Sequence, residues 1–167
     1  MALPARTQPA LAPDARSFRD ALGRFATGVA FITAAPDGEP AGLIVNSFTS
    51  VSLEPPLVSF SPSRSSLTWQ RMRRAGRFAV NVLGRQHEPF AKRATPPGAD
   101  RFAGLDWEPG LGGAPLLTDA LASLECSIVA EHPGGDHWIV VGQVDDLHIS
   151  PIKDPLLFFA GAFRVLQ

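Results

Sequence analysis

A mainly β protein, an antiparallel barrel decorated with a few short helices, is the fold class this sequence predicts. Three observations carry that prediction. Short runs rich in β-branched and aromatic residues recur at hairpin-like spacing. The links between them are built from Pro, Gly and Asp. No strand–long helix–strand rhythm appears that would build a doubly wound parallel sheet. The chain has 167 residues, 45% hydrophobic and 19% charged, which suits one compact domain with a real core. A net charge of −1 offers no field for nucleic acid or an anionic membrane, and no apolar run reaches the length of a span. The single cysteine excludes an intrachain disulfide and any cysteine-built metal cluster, so a cytoplasmic setting is expected.

Residues 1–16, MALPARTQPALAPDAR, lack the continuous apolar core of a secretory signal and are expected to be a disordered or arm-like tail. One domain then runs over 17–167. Phe18, Leu22 and Phe25 fall on one helical face after Ser17, a plausible N-cap. Val29 to Thr33 reads as a strand, Pro36-Asp37-Gly38 as a hairpin turn, and Ala41 to Ser47 as the return strand. Asn46, Ser47, Thr49, Ser50 and Ser52 then crowd five small polar side chains into seven residues before Pro55-Pro56, as at the end or rim of a strand. Leu57 to Phe60 is the next strand. A second hydroxyl cluster, Ser61-Pro62-Ser63-Arg64-Ser65-Ser66, leads into a helix over Leu67 to Ala75, with Leu67 and Met72 inward and Gly76 as its C-cap. Arg71, Arg73 and Arg74 read as a solvated helix face.

Phe78 to Val82 is a strand and His87 to Arg93 a short helix. Residues 95–115, including Pro96-Pro97-Gly98, are irregular, and a loop of that length inside a compact domain points to function. Leu124 to Ile128 and His137 to Val144 are strands, the second entered through Pro133-Gly134-Gly135-Asp136. Two more, Pro155 to Phe159 and Ala162 to Val165, are broken at Gly161. The total is about seven strands with two or three short helices.

No nucleophile elbow, phosphate-binding glycine loop or dinucleotide-binding glycine turn is present. His132, Asp136 and His137 match no familiar metal-ligand spacing, and Cys126 reads as a small core residue. What is left is two hydroxyl-rich segments, one arginine among hydroxyls, and a Gly-Gly-Asp-His turn. Backbone amides and hydroxyls of this kind suit a flat polar heterocycle carrying a phosphate. Arg64, Ser65 and Ser66 before the helix suit the phosphate. The plainer alternatives are that Ser66 is only an N-cap and His137 only a turn residue beside Asp136.

Six motifs in order, FRDALGRFATGVAFIT (18–33), GLIVNSFTSVSLEPPLVSF (42–60), GRFAVNVL (76–83), DRFAGLDW (100–107), GGDHWIVVGQV (134–144) and PLLFFAGAF (155–163), resemble the flavin reductase family with the FMN-binding split-barrel fold. Members of that family are the small reductase components of two-component flavin monooxygenases. The resemblance implies an antiparallel, Greek-key split β-barrel and hydride transfer from NADH or NADPH to FMN or FAD. It implies that reduced flavin is passed to a partner monooxygenase. It also implies a homodimer with flavin at the subunit interface, which would account for the apolar segment from Leu156 to Phe163. By position, Asn46, Ser47, Phe48, Thr49 and Ser50 would line the isoalloxazine and ribityl chain. Ser52, Arg64, Ser65 and Ser66 would follow the ribityl and phosphate. Arg93 would lie near a phosphate, and His137 would orient the nicotinamide.

The chain departs from the family pattern at Ile44, where Thr is usual, and at Ala94, where an aromatic is usual. Arg64, Arg93 and Arg101 are open to a 2′-phosphate. Two further readings stay open: a flavoenzyme of the pyridoxamine-phosphate-oxidase type, for which no dense Arg/Lys cluster is seen, and a non-catalytic flavin- or haem-binding split barrel.

Overall fold

Among the described residues of the computed structural model, 14–94, 99–151 and 154–166, the chain forms three short α-helices and twelve strands. The first half holds α1 (Ala15–Leu22), β1 (Thr27–Gly28), β2 (Ala30–Ala34), β3 (Ala41–Val45), β4 (Thr49–Leu53), β5 (Pro56–Phe60) and α2 (Leu67–Met72). The middle holds β6 (Arg77–Val82), α3 (Glu88–Ala94), β7 (Trp107–Pro109) and β8 (Pro115–Leu117). The last third holds β9 (Ala122–Gly134), β10 (His137–Ile149), β11 (Leu156–Phe159) and β12 (Ala162–Val165). All pairings are antiparallel. Most of the expected tail (1–13) and the expected loop residues Pro96-Pro97-Gly98 lie outside the described residues.

Seven strands form one sheet in the order β3-β2-β6-β9-β10-β5-β4, so its two edge strands are consecutive in the chain. Six spacings of about 4.8 Å would hold those edges roughly 29 Å apart if the sheet were flat. The four residue steps from Val45 to Thr49 reach no more than about 14 Å. The sheet therefore curls until β3 and β4 nearly meet without pairing. That is a split barrel, mainly β and antiparallel as the sequence predicts. Strands β1, β11 and β12 form a small second sheet, and β7 and β8 a third.

Strand β2 is buried on both faces, which explains its nearly unbroken apolar sequence. Ala30, Ile32 and Ala34 join Phe60, Phe78, Val80, Cys126 and Val140 in one core. Val29 and Phe31 point the other way, into a second core with Leu83, Phe90, Ala91, Leu117 and Leu156. Burial pushes the Cys126 thiol up to about 12, with the Asp145 carboxylate adding to it, so this cysteine behaves as a small apolar residue. Gly142 is required by packing: a Cβ there would sit 2.4 Å from the Phe78 ring, at a bulge in β10.

Several local expectations shift. Helix α1 starts at Ala15, because Asp14 rather than Ser17 caps it, accepting from the amides of Arg16 and Ser17. Its apolar face is uncovered, with Phe18 and Leu22 both more than half exposed. Leu67 does not face inward. It is 78% exposed, and Trp69 takes the inward place with Met72, its ring edge-on to Phe60 at 5.2 Å. Helix α2 passes into a short 3-10 turn that Gly76 ends at φ 68°. The solvated arginine face is in fact bonded: Arg73 pairs with Glu131 and Arg74 with Asp37, each at 2.5 Å, while Arg71 donates to the Pro40 carbonyl at 3.1 Å.

Buried side chains tie the seven-stranded sheet to the β7–β8 pair, Asn81 foremost. Asn81 Nδ2 donates to the carbonyls of Phe31 and Pro115, both at 3.2 Å, and Asn81 Oδ1 accepts from the Leu117 amide at 2.7 Å. Thr33 Oγ1 donates to the same Pro115 carbonyl at 2.6 Å. Replacing Asn81 by Leu strands a buried amide at Leu117 and weakens both carbonyls, so Asn81→Leu should cost about 3 kcal/mol or more by urea denaturation. A loss below about 1 kcal/mol would show that the network contributes little.

Candidate functional site

The rim of the split is built from three segments, and hydrogen bonds join them within a single chain. The first, Asn46 to Ser50, crosses from β3 to β4. Phe48 anchors it by packing against the first core, and Ser47 Oγ accepts from the Ser61 amide at 2.9 Å. The second, Ser61 to Ser66, follows β5. The third is the two-residue tip Gly135-Asp136 between β9 and β10, with Gly135 at φ 72°. The Arg64 amide donates to the Asp136 carbonyl and the Trp138 amide to the Pro62 carbonyl, both at 2.9 Å. Ser63 also bridges to His137. The two hydroxyl clusters and the Asp-His tip, far apart in sequence, therefore share one neighbourhood.

Their side chains are differently committed. Asn46, Thr49 and Ser50 are exposed, and the only side-chain bond among them is a 3.4 Å contact from Thr49 Oγ1 to the Ser50 carbonyl. A bulge between Ser50 and Ser52 changes the register: Ser50 lies opposite Val58 and Ser52 opposite Leu57. Directly opposed residues share a face, so the bulge sends Ser50 and Ser52 to different faces of the sheet. Ser63 and Ser65 hydroxyls bond each other at 2.8 Å, and Ser66 Oγ caps α2 by accepting from the Trp69 amide at 3.1 Å. The plain capping role of Ser66 is thus present, and its hydroxyl proton is still free to donate.

Arg64 is exposed and has no carboxylate partner among the described residues. Its guanidinium lies over the Trp138 ring, 5.0 Å from the centroid, and reaches the Gly135 carbonyl at 3.4 Å. Arg73 lies 5.3 Å from the same ring, and Glu131 holds Arg73 while accepting from Trp69 Nε1 at 3.1 Å. Sequence reasoning gave no place to Trp138, the ring that two arginines cover. Its position directly after Asp136-His137 was the available signal. His137 is exposed, with Nδ1 2.8 Å from Asp136 Oδ1 and Nε2 unbonded among the described residues.

Two cavities lie along β3. One, of about 240 Å³, is lined by Val29, Leu43 to Asn46, Ala94, Arg101, Phe158 and Phe163. Ile44 and Ala94, the two departures from the family pattern, both line it. The other, of about 380 Å³, lies beyond Gly42 toward α2 and also includes Arg101. Arg93 is on the exposed side of α3, donating to the Ala103 carbonyl at 2.7 Å, and no hydrogen bond among the described residues brings it to Arg64–Ser66. The apolar C-terminal strands have a reason within the chain: Leu156 is fully buried and Phe158 and Phe163 pack on the second core. Among the described residues no group of three His, Cys, Asp or Glu side chains could hold a metal ion, and no helix is long and apolar enough to cross a membrane.

Residues 22–167 match the family model described as flavin reductase like domain. The chain is 44% identical over 154 residues to the reductase subunit HsaB of a flavin-dependent monooxygenase from Rhodococcus jostii, covering 92% of this chain and 79% of that protein. It is 44% identical over 151 residues to the FMN reductase (NADH) SmoA of Agrobacterium fabrum, covering 90% and 85%. Among solved structures, an NADH:FAD oxidoreductase of Streptomyces globisporus in complex with NAD and FAD fragments superposes with a TM-score of 0.87. It is 38% identical, over 96% of this chain and 98% of that one.

The tip carries a measurable electrostatic signature. The hydrogen bond from His137, then its charge, holds the Asp136 carboxyl below the ordinary aspartate value. A depressed carboxyl contributes stability that is present above its unfolded value and lost as pH falls through the folded one. In a carboxyl NMR titration Asp136 should titrate below the ordinary aspartate value and return to it in His137→Ala. An unchanged midpoint in that variant would contradict the pairing.

Proposed function

The chain belongs to the flavin reductase like domain family, and on that premise we propose that it is an NAD(P)H:flavin oxidoreductase that reduces FMN or FAD and supplies reduced flavin to a partner monooxygenase. The observation that carries the reading is the rim of the split. Asn46 and Ser47 cross between the two edges, Thr49 and Ser50 begin the edge strand β4, and the exposed side chains of Asn46, Thr49 and Ser50 make no bond among the described residues except the 3.4 Å contact from Thr49 Oγ1 to the Ser50 carbonyl. That donor set fits the polar rim of an isoalloxazine, and Arg64 with Ser65 and Ser66 fits the flavin phosphate.

A bound flavin supplies the hydride-accepting chemistry, so the chain needs no acid–base pair. Its residues bind and orient. With flavin bound, amides of residues 46–50 would donate to its pyrimidine edge and so favour the reduced form. Ser52 and Arg93 are the outer members of the proposed set, Ser52 toward the ribityl and Arg93 toward a phosphate. Trp138 holds Arg64 extended over its ring. His137 Nδ1 is held 2.8 Å from Asp136 Oδ1, and its Nε2 would be the edge offered to the nicotinamide carboxamide.

The same reading makes the protein a cytoplasmic homodimer with flavin at the interface, with the uncovered Phe18 and Leu22 of α1, and Phe25 just beyond its end, available to be buried by a second copy. Sedimentation velocity at micromolar concentration should give a dimer, and a monomer would contradict it. The activity itself is tested by mixing the purified protein with FMN or FAD and NADH or NADPH and following loss of the reduced nucleotide. Flavin-dependent oxidation is expected, and its absence with every pair would refute the reading. His137→Ala should lower kcat/KM for the nucleotide by roughly tenfold, about 1.4 kcal/mol, with flavin affinity within about twofold. Loss of flavin binding instead would remove the nicotinamide role from His137.

A further inference from the structure

Trp138 carries two cations, and only one of them has an acid. The guanidinium of Arg64 lies 5.0 Å from the centre of its ring and that of Arg73 5.3 Å. Arg73 is neutralised by Glu131 at 2.5 Å, and the other oxygen of Glu131 accepts from Trp69 Nε1 at 3.1 Å. The strand register explains why these groups meet. Trp138 lies opposite Pro133 and Val140 opposite Glu131, and residues two apart on a strand share a face. Carboxylate and indole therefore stand on the same face of the β9–β10 pair as the buried Val140, and Trp138 packs against the first core.

Arg64 is held on all sides except at its charge. Its amide donates to the Asp136 carbonyl at 2.9 Å, its carbonyl accepts from Gln70 Nε2 at 3.1 Å, and its guanidinium spends one long bond of 3.4 Å on the Gly135 carbonyl. Most of its N–H donors are unspent among the described residues. Aromatic rings engage a guanidinium by its face, which leaves the N–H edge for a phosphate. Glu131 already occupies Arg73, so of the two cations on the ring Arg64 is the one left to answer an anion. A long side chain that is ordered beforehand gives up less rotamer freedom when the anion arrives. We propose that Trp138 is a positioning residue for the phosphate end of the flavin site: it acts through Arg64 and makes the site prefer a flavin that carries a phosphate to one that does not. The inference rests on the flavin reductase reading and deepens it.

Calorimetric binding of FMN, and of riboflavin, which lacks the phosphate, to the full chain tests this. Trp138→Leu keeps apolar bulk and removes the ring. It should weaken FMN about fivefold, the value of one stacked cation, and leave riboflavin unchanged. If that variant does not fold, Trp138→Thr, a side chain suited to a strand, takes its place with the same expected result. Trp138→Phe restores a ring face and should recover most of the lost FMN affinity. With Arg64→Ala already in place, Trp138→Leu should weaken FMN no further, because the residue it acts through is gone. A ring that only supports the fold would move riboflavin and FMN together. That result, or an undiminished effect of Trp138→Leu on FMN in the Arg64→Ala background, would overturn the positioning role while leaving flavin binding and reduction in place. Failure of both flavins to bind the wild-type chain would instead overturn the flavin reductase reading and this inference with it.

Discussion

Everything about the rim depends on a chain-length constraint: three residues, Asn46 to Phe48, must join the two edges of a seven-stranded sheet. The sheet has to curl to allow it, and the edges that approach each other do not pair. Unpaired edges are costly when covered by apolar groups and are ordinarily blunted by charge or by a bulge. Here β4 carries both a bulge and a run of hydroxyls, so the gap is lined by groups that demand polar company. A flat, polar ligand meets that demand as water does, but with fixed geometry. The same curl brings the end of β5 beside the start of β10, and this places Arg64 next to the Asp136-His137 tip.

The rim is stiffened from inside the fold. Trp69 is buried against Phe60, yet its indole N–H reaches Glu131, and Glu131 holds Arg73. Arg73 and Arg64 flank Trp138, so a chain of contacts runs from the first core to the exposed Arg64 guanidinium. Each stacked cation is worth on the order of 1 kcal/mol. Their value to a binding site is that Arg64 is ordered before any anion arrives, which lowers the entropic cost of binding. Cost and benefit fall on different residues: Glu131 and Trp69 are structural, and Arg64 is the one left facing outward.

Where local chemistry decides the structure, the sequence was readable. The β-branched runs of β2 and β5, the turn at Pro36-Asp37-Gly38, the cap at Ser66 and the stop at Gly76 are all where their side chains put them. The misses share a cause, since each depends on partners distant in sequence. Strands β9 and β10 extend over thirteen residues each because they pair with one another, although their outer halves carry Glu131, His132 and Asp146, which read as loop. Arg74 and Arg73, just after α2, look solvated until Asp37 and Glu131, 37 and 58 residues away, are brought to them. For the rim, the sequence identified the segments but not the register. Nothing local says that one bulge parts Ser50 from Ser52, or that Trp138 lies under Arg64. Ala94 and Ile44, fifty positions apart, give no hint that they line one cavity.

The central claim is that the two hydroxyl-rich segments bordering the split hold the flavin, largely through backbone amides. Hydrogen–deuterium exchange with and without FMN tests this most directly, because it reads those amides themselves. Saturating FMN should slow exchange at residues 46–50 and 61–66 and leave the outer half of β9 unchanged. Unaltered exchange at both segments, with FMN demonstrably bound, would contradict the account.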